Sequence, residues 1–102
     1  MAKFLYTFHG GKRPESKEEG ERVMAQWGAW MGGLGDAIAD PGGPAGDSKT
    51  VTAKGVDDNG GANPVSGHTI IEAASMDAAV DMAKGCPILD DGTVEVTEIL
   101  SM

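Results

Sequence analysis

The chain has 102 residues, 40% hydrophobic and 24% charged, which fits one globular domain and excludes a second core or wholesale disorder. Eight basic against 16 acidic side chains give a net charge of −8, which argues against a phosphate-neutralising nucleic-acid groove and against adsorption to an anionic membrane. No apolar run nears the ~18 residues of a membrane span, no signal-peptide core follows Met1, and the single Cys86 cannot form an internal disulfide, so a cytoplasmic location is expected.

Lys3 to His9 alternates Phe4, Tyr6 and Phe8 with Leu5, Thr7 and His9, a period-two pattern that predicts a strand ending at Gly10-Gly11. Ser16-Lys17-Glu18-Glu19 is a capping box, in which the Ser16 hydroxyl accepts from the Glu19 amide and Glu19 returns a bond. Behind it Val23, Met24, Trp27, Trp30, Met31 and Leu34 form one helical stripe, predicting a helix over 17–34. Gly28, Gly32 and Gly33 each weaken that helix by about 1 kcal/mol relative to Ala, so burial of the Trp and Met stripe has to hold it.

Residues 36–49 read as a loop around Asp40-Pro41-Gly42-Gly43-Pro44, with Ala37-Ile38-Ala39 as a short strand candidate inside it. Thr50 to Lys54 reads as the second strand. Residues 55–66 are rich in turn residues, and Asn59-Gly60 can supply the positive φ angles of a hairpin. His68 to Ala74 reads as a strand apolar on both faces through Ile70 and Ile71, a pattern found where both faces are covered. Ser75 caps a second helix with the stripe Ala79, Met82, Ala83 and Cys86, ended by Gly85 and Pro87. After the turn Asp90-Asp91-Gly92, Thr93 to Leu100 is the last strand, with Val94 and Val96 on one face.

The order β-α-β-β-α-β predicts an α+β ferredoxin-like antiparallel sheet with both helices on one face and the first and third strands central. One set of alternate residues on the first strand then lies on a face without helices. A small domain gains by burying such a face on a second copy of itself.

The second half resembles the YCII-related family through Ser66-Gly67-His68-Thr69-Ile70-Ile71-Glu72-Ala73, Asp77-Ala78-Ala79, Ala83-Lys84, Pro87 and Val94-Glu95-Val96. Trp27-Gly28-Ala29-Trp30-Met31 and Leu34-Gly35 are similar to the first helix of the branch named for a DGPF motif. The resemblance covers most of the chain and implies a homodimeric α/β barrel with facing sheets. For a few members it implies lyase-like activity. The chain departs from the pattern in two places. Asn59-Gly60-Gly61-Ala62-Asn63-Pro64 stands where Asp-Gly-Pro-Phe is expected, and Met24 stands near the first-helix histidine of some relatives, so no dyad carries over from the family.

The candidate catalytic residues are His9 and His68. In the predicted topology the end of the first strand lies level with the start of the third, so both histidines fall at one sheet edge. Lys12 and Arg13 leave from that edge and Asp90-Asp91 return to it. Imidazoles beside carboxylates support acid–base work near neutral pH; the competing reading is two strand-end histidines in solvent or at a dimer seam. Which sheet face each occupies depends on register, since a slip of one residue reverses it.

Other motifs point to no chemistry. Gly10-Gly11-Lys12-Arg13 matches neither a P-loop nor a dinucleotide fingerprint. Asp57-Asp58-Asn59-Gly60 lacks the alternate carboxylates and closing Glu of a calcium loop. No His-x-x-x-His or Cys-x-x-Cys spacing is present, so neither a metal nor a cofactor is expected. Cys86 reads as a small core residue rather than a nucleophile. The expected function is a small-molecule enzyme or binder with a pocket between the sheet and the first helix, its polar end carrying His9 and His68. The alternative is a non-enzymatic assembly or regulatory module acting through its dimer surface. The expected partners are a second copy and a small-molecule ligand.

Overall fold

The computed structural model describes residues 1–11 and 13–101. Strand β1 spans Ala2–Gly10, helix α1 Lys17–Leu34, β2 Ile38–Pro44, β3 Thr50–Thr52, β4 Gly55–Asp57, β5 Val65–Ala73, α2 Met76–Ala83 and β6 Gly92–Ile99. Short 3-10 turns at Gly35–Ala37 and Pro87–Asp90 follow the two helices. The four long strands form one antiparallel sheet in the order β2-β5-β1-β6, the ferredoxin-like arrangement, with β1 and β5 central. Among the described residues no helix is long and apolar enough to cross a membrane.

Aromatic volume decides which face of β1 is covered. Phe4, Tyr6 and Phe8 are buried together with Ile71, Ala73, Ala79, Ala83 and Cys86, while Trp27, Trp30, Leu34, Val94 and Val96 pack around them. Each large side chain buried there contributes roughly 1.5–3 kcal/mol. The Tyr6 hydroxyl donates to the Ala79 carbonyl, which ties the central strand to α2. Trp30 bridges the two helices by donating Nε1–H to the Met82 carbonyl at 3.0 Å.

Helix α1 starts at Ser16, whose hydroxyl accepts from the Glu19 amide at 3.1 Å. The return bond reaches one residue further back than the motif predicts, from the Glu15 amide to Glu19 Oε2 at 3.3 Å. No residue of α1 is fully buried, and Met24, placed on the stripe by periodicity, is 75% exposed. The stripe is therefore narrower than expected and centres on Trp27 and Trp30. Helix α2 starts at Ser75, which accepts from the Ala78 amide at 3.1 Å, and ends at Ala83. Cys86 lies beyond the helix, at the entry to the second 3-10 turn, and is buried.

The second sheet strand corrects the sequence reading. The segment Asp40-Pro41-Gly42-Gly43-Pro44, expected as loop, is most of β2, and the register with β5 shifts twice along it. An edge strand tolerates this sequence because a proline on its outer side owes no N–H to a neighbour. Thr50–Thr52 is extended as expected, but it pairs with Gly55–Asp57 in a separate two-stranded hairpin instead of joining the sheet. The hairpin turn lies at Ala53-Lys54 rather than at Asn59-Gly60; the positive φ angles fall at Gly55 and Gly61.

Candidate functional site

With Phe4, Tyr6 and Phe8 in the core, alternation puts Lys3, Leu5, Thr7 and His9 on the face away from the helices. Thr7 lies opposite His68 on β5 and opposite Glu95 on β6. One row across the three strands is therefore His68–Thr7–Glu95, with His9 one step along β1. The two histidines share an end and a face of the sheet. Lys12, expected at this edge, lies outside the described residues. The turn that carries Asp90-Asp91 does return there, and the Gly11 amide donates to the Asp91 carbonyl at 3.2 Å.

The two imidazoles differ in environment. His68 is exposed. His9 is 7% exposed although it lies on the face without helices, because Asn63 and Pro64 approach it just before β5. Its Nε2 lies 3.0 Å from Glu95 Oε1 and its Nδ1 lies 3.2 Å from the Pro64 carbonyl oxygen. Both partners are acceptors, so both bonds form together only when the ring is doubly protonated and donates from each nitrogen. The hydrogen bond to Glu95 raises the His9 pKa above its ordinary value. Burial opposes the rise, and the Pro64 and Asn63 backbones and the Glu95 charge add to it. The Glu95 side chain is 64% exposed, so one end of this pair faces solvent and the other is enclosed.

Beside His9 the sheet is irregular. Phe8 pairs with Gly67, but His9 pairs with Val65, which leaves Ser66 as the inserted residue of a bulge. The Ser66 hydroxyl is buried and has no hydrogen-bond partner among the described residues.

A pocket between the sheet and α1 with the histidines at its polar end does not match this geometry. Tyr6, Phe8, Trp27 and Trp30 pack that space, with ring centroids 5.1–6.2 Å apart, and His9 and His68 belong to the opposite face. A cavity of about 460 Å³ opens at the other end of β1 and is lined by Asp36, Glu72, Ala73, Ala78 and Met82 among others. No cluster of metal-ligating side chains forms among the described residues.

Two partners of His9 are missing from the sequence reading, Pro64 and Glu95. Pro64 contributes a backbone carbonyl, which no side-chain pattern signals. Glu95 was open to inference: between Val94 and Val96 it must face away from the core, the same side as a histidine that alternates with Phe8. Cys86 gives the site no thiolate, because burial pushes its pKa up to about 11.

A family model described as the YCII-related domain matches residues 4–102. No curated protein matches the chain.

Proposed function

The chain belongs to the YCII-related domain family, and from that premise we propose that it works as a homodimer that binds a small polar molecule between two facing sheets. The observation that carries this reading is the His9–Glu95 pair: an enclosed imidazole held 3.0 Å from a largely exposed carboxylate on the face that no helix covers. Thr7 and the exposed His68 stand beside it, so a ligand at that end would meet a proton donor, a hydroxyl and a second imidazole. The half-buried Leu5 and Ile70 lie further along the same face and supply apolar area for a second copy. Acid–base chemistry on the bound molecule follows if His9 gives a proton to it or Glu95 accepts one from it. A reducing compartment such as the cytoplasm suits the lone free Cys86.

A second reading, a non-enzymatic assembly module, is favoured by one specific fact. Both ring nitrogens of His9 are already engaged within the chain, which leaves neither free to take a proton from a substrate.

Light scattering at micromolar concentration is expected to give about twice the 10.5 kDa monomer mass, and Ile70→Lys on the open face is expected to return the monomer. Native mass spectrometry of the dimer then separates the two readings. A retained small-molecule mass that disappears in His68→Ala supports the ligand site, and a ligand-free dimer supports the assembly module. A wild-type chain that stays monomeric at every accessible concentration overturns both.

A further inference from the structure

We infer that His9 is a proton-operated latch that fastens the segment of residues 58–64, between β4 and β5, across the histidine end of the open sheet face. The imidazole joins three parts of the chain: β1 through its own backbone, β6 through Glu95, and the segment through the Pro64 carbonyl. Loss of one proton leaves a single N–H for two acceptors. If that proton stays on Nε2 with the charged Glu95, a lone pair on Nδ1 faces the Pro64 oxygen and the bond becomes a repulsion.

Among the described residues, the other side-chain bonds of the segment run within it or to residues 49 and 50 rather than to the four-stranded sheet. Asn59 Oδ1 accepts from the Gly61 amide at 2.9 Å, and the Asn59 carbonyl accepts from the Thr50 hydroxyl at 2.7 Å. Lys49 pairs with Asp58 at 3.2 Å. All three lie within the segment, the β3–β4 hairpin and Lys49 just before it, so they tie the segment and the hairpin into one arm. The arm joins β5 at the bulge where Ser66 leaves a buried hydroxyl unpartnered, a point of weak fastening in the ladder.

Few charged groups compete for control of the latch. Glu95 faces His9 from β6, and His68 lies on β5 across Thr7. The segment presents backbone of Asn63 and Pro64 rather than a charge. Asp90 and Asp91 lie in the turn that meets β1 at Gly11. The helices lie on the other face, and Lys12 is outside the described residues.

The sign follows from the raised pKa of His9. The latch is closed below the ordinary histidine value and opens as pH rises through the raised one. The latch itself rests on the His9 geometry alone. That its opening admits a ligand to the His68–Thr7–Glu95 row rests on the function proposed above.

Nuclear magnetic resonance on the ¹⁵N-labelled full chain between about pH 5 and 9 tests it, reading the imidazole nitrogens for the midpoint and the backbone amides for the segment. A His9 midpoint above about 6.5 is expected, with the amides of Asn59, Gly60, Gly61 and Asn63 moving at that same midpoint and gaining fast motion above it. Glu95→Gln is expected to lower both midpoints together, toward the ordinary histidine value. His9→Gln is expected to abolish the response of the segment. Segment amides that stay fixed while His9 titrates, or a His9 midpoint at or below the ordinary value, overturn the latch. Light scattering on the same samples reports the dimer separately, so a monomer that still shows the coupled midpoints removes the proposed function and leaves the latch standing.

Discussion

Replacement of Trp30 by alanine tests whether α1 is held by a single side chain at its middle. The helix has four glycines, no fully buried residue and no basic residue in its last turn, so little besides its tryptophans fixes it to the sheet. Trp30 stacks on Tyr6 at 6.0 Å, meets Phe8 edge-on at 6.2 Å and Trp27 at 5.8 Å, and donates to the Met82 carbonyl. A fully buried Trp→Ala change costs about 3–5 kcal/mol. Trp30 is only half-buried, which lowers the transfer part, while the lost ring pairs and the lost hydrogen bond each restore about 1 kcal/mol. The expected loss is about 3 kcal/mol, a fall in Tm of about 12–24 °C for a domain of this size. Trp30→Phe keeps the ring contacts and gives up the bond to Met82, so about 1 kcal/mol is expected. Urea denaturation followed by helical circular dichroism at one fixed protein concentration measures both, and Glu21→Ala, on the exposed side of α1, is the control expected within about 0.5 kcal/mol. Trp30→Ala indistinguishable from that control would show that the helix is held elsewhere.

Two further outcomes are expected. Gly42 has φ +62°, and a Cβ there would run into the His68 carbonyl oxygen, so Gly42→Ala should cost about 2 kcal/mol or more, whereas Gly46→Ala, with open space around it, should stay within about 0.5 kcal/mol in the same titration. Cys86 is 3% exposed with its pKa pushed up to about 11, so native alkylation by iodoacetamide at pH 8 should run on the order of 100-fold slower than in denaturant; equal rates would refute its burial.

Strands and helices were legible in the sequence where side-chain pattern and structural cause coincide. β1 alternates because one face meets Trp27 and Trp30, and both helix starts carry a serine whose hydroxyl accepts the third amide on. Of β2 only Ile38-Ala39, inside the strand candidate Ala37-Ile38-Ala39, was legible, because its other residues carry turn chemistry. Asp40-Pro41-Gly42-Gly43-Pro44 is extended only through its neighbour β5 and through the Thr69 hydroxyl, which donates to the Pro41 carbonyl at 3.0 Å. Thr50–Thr52 shows the converse: an alternating pattern specifies an extended backbone but not the strand it pairs with. At the site, connectivity places His9 and His68 at one end, but the shared face follows from which alternate set of β1 is bulkier. The enclosure of His9 depends on where a glycine-rich segment crosses, and no residue pattern encodes that.

The two margins of the sheet bear on how this chain avoids joining its neighbours into fibres. On the β2 margin, two of seven residues are prolines with no amide hydrogen to give, and Gly42 bends the strand out of the repeat. An incoming strand therefore meets a broken row of donors and cannot propagate a ladder there. The β6 margin keeps an unbroken register over eight residues but carries Glu95 and Glu98, so identical molecules stacked in register would set carboxylate against carboxylate. Backbone chemistry protects one side and charge the other. Acidification removes only the second protection, so templated aggregation below the carboxylate range should begin at β6.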